Sequence, residues 1–298
     1  MIMAIYSYLQ GGLGNQMFQY AIARALSERY QTAFILNRSW FGTPQGNATP
    51  REFQLNLLNI QDIQFIDKIF PKKLGKIARI LQPFLPTQSL VIYQQNAFDF
   101  DPTLFKLKNV STRDLYISGY WQAFPYIDAI REQLKEEFKT RSAIADSYQD
   151  YLQKIHTSES VMVHIRRGDY VHSPAAAQYH GTLPIHYYQT AIQDLLAVKP
   201  NAHLFIFSDD LMWAKEALGA SAQKTYIEHT SSADAAAQEL QLMFACKHHI
   251  IANSSLSWWG AWLKQEKNGL VLAPNRWIND QHLDLSNLLP AEWKKVLI

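Results

Sequence analysis

Two adjacent arginines, Arg166 and Arg167, follow an apolar run where residues 161–170 read Val-Met-Val-His-Ile-Arg-Arg-Gly-Asp-Tyr. The apolar run predicts a buried strand, and the arginines stand at its carboxyl end, where open α/β sheets bind ligands. Arginine keeps its proton in proteins, and its planar set of donors matches phosphate oxygens in pairs. The pair therefore predicts a pyrophosphate site. We expect one of the two arginines to pair with a carboxylate inside the protein, and Asp169 to orient an arginine.

Two later predicted strands also end in polar residues. Asp209 and Asp210 follow one apolar run, and Ser254 and Ser255 follow another. Because the carboxyl ends of parallel strands meet at one edge of a sheet, these residues should line the same crevice as the arginines. Hydroxyls at the start of a helix suit phosphate, and we expect Asp209 to hydrogen-bond ribose hydroxyls or a purine edge. His164 lies within the first strand. It could be a buried, hydrogen-bonded residue or a residue that binds the ligand, and the sequence leaves both interpretations open.

Pairs of carboxylates raise the question of a metal ion. They occur at Asp209–Asp210 and at Asp99–Asp101, which has the Asp-x-Asp spacing of metal-dependent sugar transferases. A two-carboxylate magnesium site usually also relies on substrate phosphates, and the arginine pair already supplies positive charge. We therefore predict no metal and no cofactor. We interpret Asp99–Asp101 as a turn or cap before Pro102.

A glycine-rich turn near the N-terminus separates a predicted strand from a predicted helix. Residues 11–16 read Gly-Gly-Leu-Gly-Asn-Gln, after an apolar stretch at residues 1–9 and before apolar residues at helical spacing. A strand, a glycine turn and a helix open a Rossmann-like unit. The backbone can approach a ligand there, but Met17 stands where the dinucleotide fingerprint has its third glycine. A tight turn and a binding loop both stay open.

The second half of the sequence alternates apolar strands with helical patterns. Strands are predicted at residues 161–165, 203–207, 249–252 and 270–272. Strands separated by helices indicate a parallel sheet with right-handed crossovers. We place a domain boundary near residue 155, which gives domains at residues 1–155 and 156–298. In the first half, strands are predicted at residues 34–36 and 116–122, and prolines and glycine make most of residues 40–112 unreadable.

Composition limits the class of protein. The 298 residues are 48% hydrophobic and 18% charged, as in a globular protein of two ordinary domains. Lys and Arg total 28 against 26 Asp and Glu, which excludes the basic excess of a general nucleic-acid binder. The single cysteine, Cys246, is expected in the core. Because one cysteine cannot form an internal disulfide, we predict a reducing, cytoplasmic compartment. No leader or spanning segment is recognised, which leaves peripheral membrane association open.

Five segments together resemble the bacterial α-1,2-fucosyltransferase family, from about residue 5 to residue 280. They lie at residues 11–21, 119–122, 164–170, 208–210 and 257–263. The resemblance implies an α/β, GT-B-like fold of two Rossmann-type domains facing a central cleft. It also implies GDP-fucose as donor, the 2-hydroxyl of a terminal galactose on a glycan as acceptor, inversion at the fucose anomeric carbon, and no metal.

The resemblance also assigns roles to residues, with the N-terminal domain on the acceptor side and the C-terminal domain binding GDP-fucose. The catalytic and donor-binding residues that it implies are Arg166, Arg167, Asp169, His164, Asp209, Ser254 and Ser255. Gly12 and Asn15 are expected to close the donor site, and Tyr120 and Gln122 to meet the acceptor. Residues 123–126 read Ala-Phe-Pro-Tyr where many relatives have Ser-Glu-Lys-Tyr, so the acceptor preference is open, as is the general base.

Two rival functions are compatible with these residues. A fucosyltransferase of another linkage, such as the α-1,6 type, would carry a similar arginine motif. A non-catalytic protein that binds nucleotide sugars or polyanions would also need cations at a strand end. Several polar strand ends converging on one crevice favour the enzyme, because a plain phosphate binder needs only one of them.

Overall fold

A computed structural model of the chain describes residues 4–44, 50–61, 63–68, 91–95, 98–107, 114–168, 178, 181–219, 222–280 and 282–298. The chain forms two compact units. The first comprises Met1–Gly46, Pro50–Asn56 and Ile60–Glu137, and the second comprises Asn47–Thr49, Leu57–Asn59 and Phe138–Ile298.

The division between the units lies after Glu137 and therefore precedes the boundary predicted near residue 155. The reason is the helix Asp146–Thr157, which buries Tyr148 and Ile155. This helix packs against the strand Ser160–Ile165 and against a later helix of the second unit. The polar stretch that suggested a linker is the last turn of this helix, so it belongs to the second unit.

The first unit contains a parallel sheet. Its described strands are β1 (Ile5–Tyr8), β2 (Phe34–Asn37), β3 (Gln64–Ile66), β4 (Val91–Gln94) and β5 (Leu115–Ser118). They are ordered β3-β2-β1-β5-β4, and every pair is parallel. Strand β1 therefore lies between β2 and β5. This is the point at which the order of the strands across the sheet reverses. The strands β3 and β4 are short, which explains why the proline-rich region concealed them.

Helical segments connect these strands. The helix Leu13–Tyr30 packs on β1 and β2, which confirms the predicted strand, turn and helix. Further on, Asp101 begins a 3₁₀-helical turn by accepting a hydrogen bond from the Thr103 backbone N–H, so it is a cap before Pro102 as predicted. The other described helical segments of this unit are Ser39–Gly42, Leu55–Leu57, which extends into the second unit, Phe124–Tyr126, Asp128–Ile130 and Arg131–Glu137.

The second unit contains a larger parallel sheet. Its described strands are β6 (Ser160–Ile165), β7 (His203–Ser208), β8 (Lys224–Tyr226), β9 (His248–Ile250), β10 (Val271–Pro274) and β11 (Lys294–Val296). Their order is β8-β7-β6-β9-β10-β11, which is the Rossmann order. The sheet confirms the predicted parallel α/β class. Strands β8 and β11 were not predicted, because each has only three residues and little apolar content.

Helices cover both faces of this sheet, which explains why β6 and β7 are buried along their whole length. Val161, Val163 and Ile165 pack with the helices Ile185–Val198 and Leu211–Leu218. Met162, which alternates with these residues, lies against the helix Ser255–Trp262, because a Cβ atom on Gly260 would be 3.5 Å from its methyl carbon. A Cβ atom on Gly260 would lie 2.9 Å from the Cβ of Met243, so this glycine permits the close contact of those two helices.

Large apolar side chains fill the core of the second unit. Trp258, Trp259 and Trp262 are buried and serve as packing residues. Cys246 is also buried, and desolvation raises the pKa of its thiol, which confirms it as a core residue. Over the part of the chain that the structure describes, no helix is long and apolar enough to cross a membrane.

Candidate functional site

The topology of the second sheet defines a crevice at the carboxyl ends of β6 and β9. The strand order reverses between these two neighbours, and open α/β sheets bind ligands at such a switch point. Arg166 and Arg167 directly follow β6, and Ser254 is the residue that begins the helix Ser255–Trp262 after β9. Strand β7, which ends at Ser208, lies on the other side of β6. The predicted donor-site residues therefore follow adjacent strands.

Carboxylates hold the turn formed by residues 166–168, which we call the arginine turn. Arg166 Nη1 lies 2.8 Å from Asp209 Oδ2, and the Arg167 backbone N–H donates to Asp209 Oδ1 at 2.8 Å. A Cβ atom on Gly168 would lie 2.9 Å from Asp209 Oδ2. Glycine is therefore needed for the close approach of the turn to this carboxylate.

The second arginine is held from two sides. Arg167 Nε lies 3.4 Å from Asp210 Oδ2, and its guanidinium lies 3.9 Å from the centre of the Trp213 ring. Such a cation–π contact restrains the side chain while leaving its edge available for hydrogen bonds. Both arginines thus pair with internal carboxylates, whereas the sequence had predicted this for one of them. Trp213 was not predicted as a site residue.

Asp209 and Asp210 make contacts within the protein that were not predicted. Asp209 holds the arginine turn, and its contact with ribose or a purine stays a prediction, as does the orienting of an arginine by Asp169, which lies outside the described residues. Asp210 begins the helix Leu211–Leu218 by accepting from the Trp213 backbone N–H at 3.1 Å. Among the described residues, no three His, Cys, Asp or Glu side chains form a group able to hold a metal ion. Independence from metal stays a prediction.

His164 is buried near the arginine turn, with 7% of its surface exposed. Desolvation lowers its pKa to about 4, with Arg166 and His229 adding repulsion and Asp209 opposing. The imidazole is therefore neutral at physiological pH. Its Nδ1 atom has no hydrogen-bond partner among the described residues. Because buried polar atoms are seldom left unpaired, this nitrogen favours the ligand-binding interpretation of His164.

A second histidine, His229, lies close to the arginine turn and was missed by the sequence analysis. Its Nδ1 atom lies 2.6 Å from Glu239 Oε1, and its Nε2 atom lies 2.5 Å from the carbonyl oxygen of Ser208. Tyr148 Oη donates to the same Glu239 oxygen at 2.8 Å. The hydrogen bond with Glu239 raises the pKa of His229 to about 9. No spacing rule links residues so far apart, and β8, which precedes His229, was not recognised.

The first unit has its own switch point, between β1 and β5. The glycine turn follows β1, and residues 119–122 follow β5. Gln122 Nε2 donates to Asn15 Oδ1 at 2.7 Å, which brings together two predicted site residues from distant segments. Gly11 has φ of +79°, and a Cβ atom there would lie 2.7 Å from Asn15 Nδ2. Gly12 precedes the helix and begins it, and Tyr120 is 46% exposed.

Buried glutamines fix this first crevice. Gln19 Oε1 accepts from the Gln10 backbone N–H at 2.9 Å, and Gln19 Nε2 donates to the Gly119 carbonyl at 3.1 Å. Gln16 Nε2 donates to the carbonyl oxygens of Gly11 and Glu52. The glycine turn and the loop after β5 are thus tied together by neutral amides. The sequence supplied no signal that these glutamines were internal braces.

Trp121 has the most unusual backbone in the first crevice. Its φ of +57° is rare for a bulky residue, and such strain is concentrated at functional sites. The Trp121 backbone N–H donates to Gln95 Oε1. Its side chain is buried, and the indole Nε1 has no hydrogen-bond partner in the described part of the chain. Both neighbours of Trp121 in the sequence, Tyr120 and Gln122, were predicted as site residues, but Trp121 was not.

A Rossmann-ordered sheet with guanidinium groups beside its switch point is typical of α/β proteins that bind nucleotides. The comparison with known families is more specific. The chain belongs to glycosyl transferase family 11, whose sequence profile matches residues 4–296. This confirms the resemblance found in the sequence and makes the protein a glycosyltransferase.

Several proteins are similar to this chain over most of its length. The Escherichia coli O-antigen biosynthesis glycosyltransferase WbnK is 33% identical over 286 residues, covering 92% of this chain and 94% of the relative. An E. coli alpha-1,2-colitosyltransferase is 33% identical over 301 residues, covering 98% of each. Galactoside alpha-(1,2)-fucosyltransferase 2 of Bos taurus is 24% identical, covering 85% of this chain and 67% of the relative.

Among solved structures, NodZ alpha-1,6-fucosyltransferase soaked with GDP-fucose matches this fold with a TM-score of 0.51. The two are 16% identical, and the match covers 89% of this chain and 93% of that one. At this level of identity the likeness concerns the fold alone. It agrees with the α/β class and the parallel sheets described above.

Proposed function

We propose that the protein transfers L-fucose from GDP-fucose to the 2-hydroxyl of a terminal galactose on an oligosaccharide or polysaccharide, with inversion at the anomeric carbon. The observation that carries the proposal is the arginine turn beside the switch point of a Rossmann sheet. A diphosphate leaving group needs positive charge at that place, and family 11 membership supplies the reaction class. The α-1,2 linkage is supported by the names of the similar proteins.

In this proposal the second unit binds the donor. Arg166 and Arg167 bind the β-phosphate and stabilise the charge that grows on it as the fucosyl C–O bond breaks. Losing one such preorganised group typically costs about 10²–10³ in rate. Ser254 and Ser255 offer hydroxyl and amide groups to the phosphates. His164, through its unpaired Nδ1 atom, and Asp209 meet the nucleoside. Asp209 also keeps the arginines in place through its contacts with the turn.

The first unit binds the acceptor. Gly12 and Asn15 complete the donor side, and Tyr120 and Gln122 meet the galactoside, the exposed ring packing on a sugar face and the amide bonding to hydroxyls. A GT-B-like arrangement, with the two units facing a cleft, is part of the proposal. Asp169 is assigned to orienting an arginine, and no base for the acceptor proton is assigned. The reaction is proposed to run in the cytoplasm without metal or cofactor.

The decisive experiment is a donor and acceptor screen with the linkage of the product determined by NMR. GDP-fucose and a β-galactoside should yield an α-1,2-linked fucoside, and activity should survive EDTA. An α-1,6-linked product would show that the proposed α-1,2 linkage is wrong. A strict requirement for Mg²⁺ or Mn²⁺ would show that the proposed metal-independent reaction is wrong. GDP binding without any transfer would identify a non-catalytic binding protein.

Colitosyl transfer is the second candidate function. It is favoured by one observation, the 33% identity over 98% of the chain to an alpha-1,2-colitosyltransferase. Offering GDP-fucose and GDP-colitose in competition distinguishes the two. We expect the fucosyl product to dominate. Preferential transfer of colitose would show that the proposed donor sugar is wrong, but the arginine turn would keep its proposed role of binding the diphosphate.

A further inference from the structure

The two ring nitrogens of His229 both face acceptors. Nδ1 faces the carboxylate of Glu239, and Nε2 faces the backbone carbonyl oxygen of Ser208. A carbonyl oxygen accepts hydrogen bonds and does not donate them. Glu239 Oε1 already accepts from the hydroxyl of Tyr148. Both imidazole nitrogens must therefore carry hydrogen, which makes His229 a cation.

The carboxylate that pairs with this cation is deep in the second unit. Glu239 is 5% exposed and belongs to the helix Ala235–Ala245. A buried carboxylate is costly unless it is paired and hydrogen-bonded, and here His229 and Tyr148 provide both. The pair thus anchors the loop after β8 to a helix on one face of the sheet.

The other hydrogen bond of His229 reaches the donor site. Ser208 is the last residue of β7, and the next residue, Asp209, bonds the side chain of Arg166 and the backbone of Arg167. Fixing the Ser208 carbonyl limits the rotation of the peptide that leads into Asp209. A displacement of Asp209 would be passed directly to both arginines, and a shift of about 1 Å in a site can cost about 10²-fold in rate.

We propose that His229, held as a cation by Glu239, is a positioning residue that fixes the Ser208–Asp209 turn and through it the arginines that bind the donor diphosphate. The inference rests on the proposed function, because it assumes that the arginine turn binds GDP. His229 touches neither the diphosphate nor the sugar in this scheme, since both of its nitrogens are engaged within the protein.

Several charged or titratable groups surround His229 and set its pH range. Glu239 faces it from one helix, and Tyr148, on the helix Asp146–Thr157, shares the same carboxylate. Asp209 and His164 lie near it at the strand ends. Burial raises the pKa of Tyr148 to about 12, and His164 is neutral, so neither changes charge near neutrality. The raised pKa of His229, about 9, means that the cation is present at neutral pH and is lost above about pH 9.

The test measures GDP affinity by calorimetry in His229→Gln, with His156→Gln on the exposed face of the helix Asp146–Thr157 as matched control. We expect the dissociation constant for GDP to rise about tenfold near neutral pH, as for one lost charge-assisted hydrogen bond. In the unmodified protein GDP affinity should fall as pH passes about 9. His229→Gln should lack this fall, and His156→Gln should retain it.

A second variant keeps the test informative if His229→Gln does not fold. Glu239→Gln retains the shape of the pair and removes its negative charge, which lowers the pKa of His229. The pH at which GDP affinity falls should therefore be lower in this variant than in the unmodified protein. NMR of ¹⁵N-labelled histidine should show His229 protonated on both nitrogens near neutral pH and losing this signature at lower pH in Glu239→Gln. If His229 and Glu239 only stabilise the fold, Glu239→Gln should lower the thermal stability and leave unchanged the pH at which GDP affinity falls.

The outcomes separate this inference from the proposed function. If the unmodified protein binds GDP and transfers fucose, but the His229 and Glu239 variants keep the same affinity and pH profile, the positioning role is wrong. If the unmodified protein binds no GDP, the proposed function fails and the inference falls with it.

Discussion

The two sheets of this protein have comparable switch points that are held together by different interactions. The crevice of the second unit is held by charge, with Arg166 and Arg167 against Asp209 and Asp210, and with His229 against a buried carboxylate. The crevice of the first unit is held by amides, such as the bond between Gln122 and Asn15. Parallel-sheet topology places both crevices at strand ends, and side-chain chemistry makes them different.

The difference teaches which ligand each crevice suits. A diphosphate carries negative charge, and the paired guanidinium groups of the second crevice can stabilise it. A neutral sugar offers hydroxyl groups that donate and accept, and amide side chains do the same. The first crevice also has Arg51 beside Gly12, but its hydrogen bonds run mainly through amides, so the charged crevice should respond to salt and pH more strongly than the amide crevice.

The largest effect is expected from Arg166→Lys. Lysine keeps the positive charge but lacks the planar pair of donors, so kcat should fall by about 10²–10³. Steady-state kinetics with GDP-fucose measure this, and Arg29→Lys, on the helix Leu13–Tyr30, is the matched control. A near-normal kcat in Arg166→Lys would contradict the assignment of the arginine turn.

A substitution in the first unit is expected to have a smaller effect, and this effect should be on the KM for the acceptor. Gln122→Ala removes an amide that bonds Asn15 at 2.7 Å. The loss of about one hydrogen bond should raise the KM for the galactoside roughly tenfold. Affinity for GDP should change much less, because Asn15 only completes a donor site that the arginine turn dominates. Gln149→Ala on the helix Asp146–Thr157 serves as control, and a loss of GDP affinity larger than the rise in the acceptor KM would show that the amide crevice serves mainly the donor.

Salt should separate the two crevices without mutation. Exposed charges are screened beyond about 8 Å at physiological ionic strength, and the arginines are partly exposed. Raising the salt concentration should weaken GDP binding several-fold and leave the KM for the acceptor nearly constant. Equal sensitivity of the two would remove the distinction between a charged and a neutral crevice.

Charge also stabilises the opposite edge of the second sheet, with a smaller expected effect. Glu159 accepts hydrogen bonds from His248, Lys199 and Lys247, which lower its pKa from 4.5 to about 2. Because the folded protein favours the charged form, this stabilisation is complete above the ordinary pKa and is lost as the pH falls through about 2.

Thermal unfolding between about pH 5 and pH 2 checks this expectation. The midpoint temperature of the unmodified protein should fall more steeply than that of Glu159→Gln, which cannot gain a proton at this position. Glu266→Gln, at an exposed turn, should follow the unmodified protein. Parallel curves for Glu159→Gln and the unmodified protein would show that the cluster contributes nothing.

Local sequence determined the outline of the fold. Mainly apolar runs such as residues 161–165 predicted buried strands, and the glycine turn with apolar residues at helical spacing predicted the opening of the first unit. These signals are local, because each depends on residues within one element. Short strands such as β3, β8 and β11 were missed, since three residues carry too little periodicity to be recognised.

The sequence by itself also determined the residue types of the site, because an arginine pair at a strand end has few other uses. Which partner each side chain has was decided by the tertiary structure. Asp209 holds the arginines, His229 meets Glu239, and Gln122 meets Asn15 only because parallel strands bring distant segments to one edge. Hydrogen bonds and ion pairs form over about 3 Å, and no spacing in the sequence encodes such a distance between remote segments.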